Sequence, residues 1–277
     1  MLKVIKVLNN NALLAKDEST NKEVVLLGKA VGFGLKINDE VQLPSDAQMY
    51  VLQDKTERGE SAQLISKLNP VFLEISHQLL NEARKKFREV DSAILLPLAD
   101  HLAFAYERLT KKVDIHNPLV DELKLLYEEE FQCASLALTL FEQQFSITLP
   151  EDEIGYIALH LHSAVEHDRL DQSMQIAHIL NEAIVQMEKE CQLHVDRNSL
   201  SYSRLMTHIR YLLARIKKNE VLNLDKDHYV KTNYPYAYQM ACTITERLEK
   251  LLNKEIAKCE RGYLGLHVER VRQQASE

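Results

Sequence analysis

The chain has 277 residues, 27% charged and 45% hydrophobic, with mean hydropathy −0.27 and only 7 Gly and 6 Pro. That is the composition of an ordinary globular protein; it excludes long disordered linkers, and no run of apolar residues is long enough for a membrane span. The net charge of −7 excludes a surface that grips nucleic acid all over, yet residues 1–36 hold six lysines against three acids, a local +3 that leaves −10 for the remainder.

From Leu2 to about Leu52 the apolar runs are short: KVIKVL, NALLAK, KEVVLLG and QMYVL. Asn9, Asn10 and Asn11 between the first two, and DESTNK between the next two, are turn signals, so the stretch predicts a four-stranded antiparallel meander. Some fifty residues make a thin core, so one face is expected to pack on a second copy in a homodimer. Any polyanion has to meet this lysine-rich end. Residues 53–65, QDKTERGESAQLI, read as a polar linker leading into helix.

Beyond the linker, apolar residues recur at spacings of three and four in FLEISHQLLNEARKKF, PLADHLAFAYERL, PLVDELKLLYEEEFQCASLALTLFEQQF and EIGYIALHLHSA, the pattern of a helical bundle. A second set of helices is expected near 174–190, 199–217, 229–252 and 259–272. It repeats the first at an offset of 107 residues: His101 falls on His208 and His160 on His267, each pair 59 apart. Leu98, Leu102, Arg108, Tyr127, Glu153, Gly155 and Tyr156 keep the same register with Leu205, Ile209, Arg215, Tyr234, Glu260, Gly262 and Tyr263. The fold class is therefore multidomain: a small antiparallel all-β amino-terminal domain followed by two duplicated all-α helical-bundle domains, bounded at 1–56, 65–171 and 172–277.

The paired histidines admit three readings: structural residues on apolar helix faces, metal ligands, or phosphoryl acceptors. The H-x-H of His160 and His162 is poorly placed for a metal, since positions i and i+2 of a helix diverge, and Glu269 stands where the second copy would need a histidine. Neutral imidazole is a good nucleophile near pH 7, and a phosphate on it adds charge that can make or break a helical interface. Asp100 beside His101, and Glu153 seven positions ahead of His160, are placed to orient or repel. Cys133, Cys191, Cys242 and Cys259 lie far apart with no CxxC and read as reduced thiols. There is no Walker, G-x-G-x-x-G, HExxH or nucleophile-elbow pattern, so no enzyme and no cofactor is expected.

KVIKVLNNNALLAK followed by VVLLGKAVGFG resembles the co-antiterminator RNA-binding domain of the BglG/SacY family of bacterial transcription antiterminators. LADHLAFA with EDEIGYIALHLHSA, and LMTHIRYLLARI with ERGYLGLHVERV, resemble its two phosphotransferase-system (PTS) regulation domains. GKAVGFG is nearest the glucose-type subgroup, many relatives having Arg-Gly where this chain has Lys29-Ala30. The resemblance implies a cytoplasmic homodimer that binds a hairpin in a nascent leader RNA and prevents an overlapping terminator from forming. It implies RNA contacts from Lys6, Asn9, Asn10, Asn11, Gly28, Lys29, Phe33 and Lys36, with Gly32-Phe33-Gly34 otherwise a β-bulge around a core ring. It implies phosphorylation of His101 and His160 by a sugar-specific EII component of the phosphotransferase system, which inhibits, and of His208 and His267 by HPr, which in many relatives activates, the two shifting an equilibrium between open and closed dimers. A regulated DNA-binding activator is the alternative within the same regulatory class, and a histidine-dependent metal or phosphate enzyme the alternative outside it.

Overall fold

The computed structural model describes residues 1–52, 55–56, 59–113, 115–220 and 226–275. Part of the expected linker, residues 53, 54, 57 and 58, lies outside them; Ser61–Lys67 is helix α1. By packing, the chain forms two compact units, residues 1–117 with 129–168, and residues 118–128 with 169–277.

The first unit opens with an antiparallel sheet of β1 (Leu2–Asn9), β2 (Ala12–Asp17), β3 (Lys22–Leu27), β4 (Glu40–Val41) and β5 (Gln48–Val51), in the order β4-β1-β2-β3-β5. The sheet thus has five strands where the sequence predicts four. The added strand β4 is two residues long, Leu2 and Lys3 facing Val41 and Glu40, too short to show alternation in sequence. On one face Val4, Leu13, Ala15, Val24 and Leu26 pack under Val31 and Ala47. The other face, with Leu14, Val25 and Leu27 fully or nearly fully buried, meets helix α2 (Pro70–Lys86), which packs on β2 and β3. The thin core that the sheet alone would have is completed by a helix of the same chain. Gln48 and Tyr50, in register with Leu27 and Val25 on that face, fasten the contact: Arg84 donates to Gln48 Oε1 at 2.6 Å, and Tyr50 Oη lies 2.7 Å from His77 Nδ1.

Asn69 caps α2, its side-chain oxygen accepting from Val71 N at 3.2 Å, and Pro70 occupies the first turn, where its missing N–H costs nothing. Helix α3 (Leu95–Thr110) packs on α2; α4 (Val120–Leu126), α5 (Glu128–Ala134) and α6 (Leu136–Phe145) follow, and α7 (Glu151–Glu166) returns against α3. Three acids in the first turn of α7, Glu151, Asp152 and Glu153, sit where the helix dipole favours them.

The second unit holds α8 (Leu170–Cys191), α9 (Leu200–Lys218), α10 (Asp227–Asn233), α11 (Pro235–Leu252) and α12 (Lys258–Gln274), together with α4. The sequence reads one continuous helix over 229–252; it breaks at Tyr234, with φ −134° and ψ 60°, outside the helical region that the following Pro235 disfavours. The counterpart Tyr127, with φ −119° and ψ 49°, breaks the first copy at the same register without a proline. In this unit a Cβ at Gly262 would stand 2.6 Å from Asp227 N, so α10 lies directly on α12. Helix α4 instead packs on α8 and α9. Its Glu122, wholly buried, accepts from Tyr202 Oη at 2.5 Å, and Tyr127 Oη donates to Ser173 O at 3.2 Å. Burial holds the Glu122 carboxyl above its usual range despite the tyrosine.

Replacing Tyr202 by Phe leaves a buried carboxyl without its donor. The expected loss is about 1–3 kcal/mol of unfolding free energy in a urea titration, whereas an exposed Tyr211→Phe change is neutral.

Candidate nucleic-acid interface and histidine sites

The asparagine turn and the glycine-rich segment, eighteen residues apart, form one surface. Gly28 N donates to Asn11 O at 3.0 Å, Gly32 N to Asn10 O at 2.9 Å, and Ala30 N to the Asn11 side-chain oxygen at 3.1 Å. Gly32 is required by this closeness, since a Cβ there would stand 2.2 Å from Asn9 O. Ala30 has φ +57°, a left-handed conformation that a side chain resists and glycine accepts. Phe33 is 72% exposed, so it is no core residue of a bulge; its ring is free to stack. Lys6, Asn10, Lys29 and Lys36 are exposed, and Asn9, Asn11 and Gly28 are half-buried. Lys36 lies in a turn closed by its own N donating to Asp39 Oδ2 at 2.7 Å.

The amides of this surface are already engaged. Asn9 Nδ2 donates to Glu74 Oε1 at 2.6 Å and Asn11 Nδ2 to Glu74 Oε2 at 3.2 Å, while Lys6 Nζ donates to Ser66 O at 3.2 Å. One carboxylate on α2 therefore bridges two of the three asparagines, and α1 takes the lysine. Glu74 is absent from the sequence reading; an isolated Glu on an amphipathic helix carries no signal of a partner 63 or 65 residues away.

The histidines do come together across the helix pairs. His101 on α3 and His160 on α7 have ring centroids 5.2 Å apart, and His208 on α9 and His267 on α12 stack at 4.7 Å with 27° between planes. Each site carries the same three companions at the repeat offset. Arg108 donates to Glu153 at 2.5 Å, and Arg215 grips Glu260 with two bonds of 2.7 and 2.8 Å. The second oxygen of each carboxylate faces the first histidine, 3.4 Å from His101 Nε2 and 3.8 Å from His208 Nε2. Tyr156 and Tyr263 flank the same rings at 5.9 and 5.7 Å. Glu153 thus serves His101 across the helix interface rather than His160 along its own helix, and the arginines are site residues that the register alone leaves without a role.

Burial disfavours the charged form of three of these imidazoles, His160, His208 and His267. It pushes His160 down to about 3, helped by the neighbouring His101, and His208 to about 3, helped by His267 and Arg215; His267 is lowered by burial, then by Arg270 and Arg204. His160 Nδ1 and the Nε2 atoms of His101 and His208 are buried without a hydrogen-bond partner, so reactive nitrogens stand uncommitted. His162 is engaged elsewhere, 2.8 Å from Glu130. No cluster of three potential metal ligands occurs among the described residues. The four cysteines are free thiols.

The low values of His160 and His208 carry a linkage. The unfolded chain takes their protons near pH 6.5 and the folded one only near 3, so their contribution to stability is full above 6.5 and lost as the pH falls from there toward 3. In a two-dimensional NMR titration from pH 8 to 5 their ring resonances are expected to stay fixed; midpoints near 6.5 would refute the neutral, buried sites.

A model of the CAT RNA binding domain matches residues 2–59, and one of the PRD domain matches twice, at 65–164 and 181–271. The GlcA/glcB genes antiterminator of Staphylococcus carnosus (strain TM300) is 32% identical over 276 residues, 97% of this chain and 95% of its own. Protein GlcT of Staphylococcus aureus (strain RF122) is 30% identical over 272 residues, 96% of this chain and 95% of its own. A crystal structure of GlcT CAT-PRDI aligns with a TM-score of 0.50 at 34% identity, over 59% of this chain and 98% of that one. No described helix is long and apolar enough to cross a membrane. The family is one of RNA-binding regulators and not of enzymes, and its amino-terminal domain is a sheet rather than a DNA-reading helix pair. The chain belongs to the family of transcriptional regulators that join a CAT RNA binding domain to two PRD, or PTS regulation, domains.

Proposed function

We propose that the chain is a homodimeric, cytoplasmic transcription antiterminator that binds a hairpin in a nascent leader RNA and keeps a terminator from forming, under the control of histidine phosphorylation. Residues 1–56 are the RNA-binding domain, and 65–171 and 172–277 the two regulatory modules. A sugar-specific EII component phosphorylates His101 and His160, and HPr phosphorylates His208 and His267, shifting an equilibrium between open and closed dimers.

One observation carries the reading: Glu74, on the helix that packs against the helix bearing His101, holds the side chains of Asn9 and Asn11. Structured RNA is read by hydrogen bonds to splayed bases and by stacking, for which two amides and an exposed ring are suited. A carboxylate on those amides occupies the donors that RNA would use, so RNA has to displace it. The path from histidine to RNA is then α3 to α2 to the asparagine turn. Lys29 and Lys36, exposed on the same domain, supply the phosphate contacts.

In a gel-shift titration of the full chain with its leader hairpin, Glu74→Ala is expected to tighten binding by roughly tenfold, the worth of one charge-assisted bond, and Asn11→Ala to weaken it by a similar factor. Lys29→Ala should lower the slope of log affinity against log salt by about one. Failure of the full chain to prefer the RNA hairpin over its DNA version would sink the antiterminator reading. Incubation with the general phosphotransferase components should place acid-labile phosphate on the four histidines; labelling of none of them would make them structural.

A further inference from the structure

The two histidine sites share their inner residues but differ at the rim. At the repeat offset, Pro97 is replaced by Arg204, Ser163 by Arg270 and Asp100 by Thr207. Two arginines are gained and one aspartate is lost, a formal change of +3 in favour of the second site. Arg204 lies four residues before His208 on α9, and Arg270 three after His267 on α12, so each projects from the same helical face as its histidine, one turn away. Both arginines are exposed, and among the described residues neither forms an ion pair with a carboxylate. Their charge reaches the His267 ring: burial, then Arg270 and Arg204, disfavour its protonation. Beneath them His208 is only 9% exposed; its Nε2 has no hydrogen-bond partner and stands 3.8 Å from Glu260 Oε2, whose charge Arg215 pairs. The inner arginine is not available, since Arg215 is spent on Glu260.

Unpaired guanidiniums flanking neutral imidazoles make a seat for a compact dianion. Arginine forks match the oxygens of phosphate in pairs, and neutral imidazole N–H groups add donors without requiring a proton from solution.

We propose that the second histidine pair is a non-covalent binding site for phosphate-class oxyanions, clamped by Arg204 and Arg270 over His267 and His208, and that the first pair is not. The ligand chemistry is a phosphate dianion, arriving either free or on a carrier. The site rests on the histidine geometry; its role in retaining a phosphoryl group after transfer rests on the function proposed above. Free phosphate then competes with the carrier at the second module alone, which makes the two inputs differ in more than their donors.

The test is a histidine side-chain NMR titration of the full-length protein with inorganic phosphate at constant ionic strength and pH, beside a parallel arm of carrier-driven phosphorylation. Saturable shifts of His208 and His267 with a midpoint on the order of millimolar, weakened roughly tenfold or more in Arg204→Ala/Arg270→Ala and partly retained in the Lys/Lys variant, are expected. In the second arm, added phosphate should slow labelling of His208 and His267 and leave that of His101 and His160 unchanged. No saturable shift, equal shifts at the first pair, or shifts indifferent to the double alanine variant would overturn the site. Carrier labelling of all four histidines without phosphate binding defeats the site alone, whereas phosphate binding without carrier labelling defeats the proposed phosphorylation and leaves the site standing.

Discussion

Two amides and one carboxylate share a single contact on which the rest of the account depends. Asn9 and Asn11 belong to a turn whose form is set by three hydrogen bonds to the glycine-rich segment, so their side chains are aimed before any ligand arrives. Glu74 meets both because α2 is fastened to the sheet by Arg84 and His77 along its length. The same helix covers the apolar face of the sheet, so it cannot leave the asparagines without exposing Leu14, Val25 and Leu27. Each of these buried side chains is worth about 1.5–3 kcal/mol, which sets a scale for the restraint on full separation. Local release of Glu74 is cheaper than undocking of the domain, and it is the local step that uncovers the amides.

The histidine sites obey a second constraint. A buried carboxylate is tolerable only when paired, and Arg108 and Arg215 do that pairing for Glu153 and Glu260. Arg108 takes one oxygen of Glu153 and Arg215 both oxygens of Glu260, and in each site one carboxylate oxygen faces a histidine at 3.4 or 3.8 Å, beyond good hydrogen-bond geometry. The rings are left paired, and His101, His160 and His208 each keep a buried nitrogen without a hydrogen-bond partner. That is a costly arrangement for structure alone and a useful one for accepting a phosphoryl group, whose added charge the arginine and the buried carboxylate would then read with opposite sign. The inner constellation is the same in both copies while positions one turn from the histidines differ, Arg204 and Arg270 in the second copy standing where the first has Pro97 and Ser163.

Much of this was legible before any coordinates. The turn signals and the change from short runs to three-and-four spacing divide sheet from helix, and the repeat offset makes His101 and His208, and His160 and His267, counterparts that the two ring pairs reproduce. What stayed hidden depends on tertiary contact. Arg108 and Arg215 keep register in sequence, but their partner lies 45 residues on, across an interface. Glu153 reads as a neighbour of His160 on its own helix and serves His101 instead. Phe33 between two glycines is equally compatible with core and solvent, and only its exposure separates the two. Glu74 is one polar residue among many on α2; no periodicity marks the one that meets the asparagine turn.

The most direct measurement of the central claim is hydrogen–deuterium exchange on the full-length protein before and after phosphorylation of the first module by its carrier. If Glu74 couples the histidines to the asparagine turn, protection in peptides covering residues 7–12 and 70–80 changes together on phosphorylation. If labelled His101 or His160 leaves both segments as they were, the coupling through α2 is wrong.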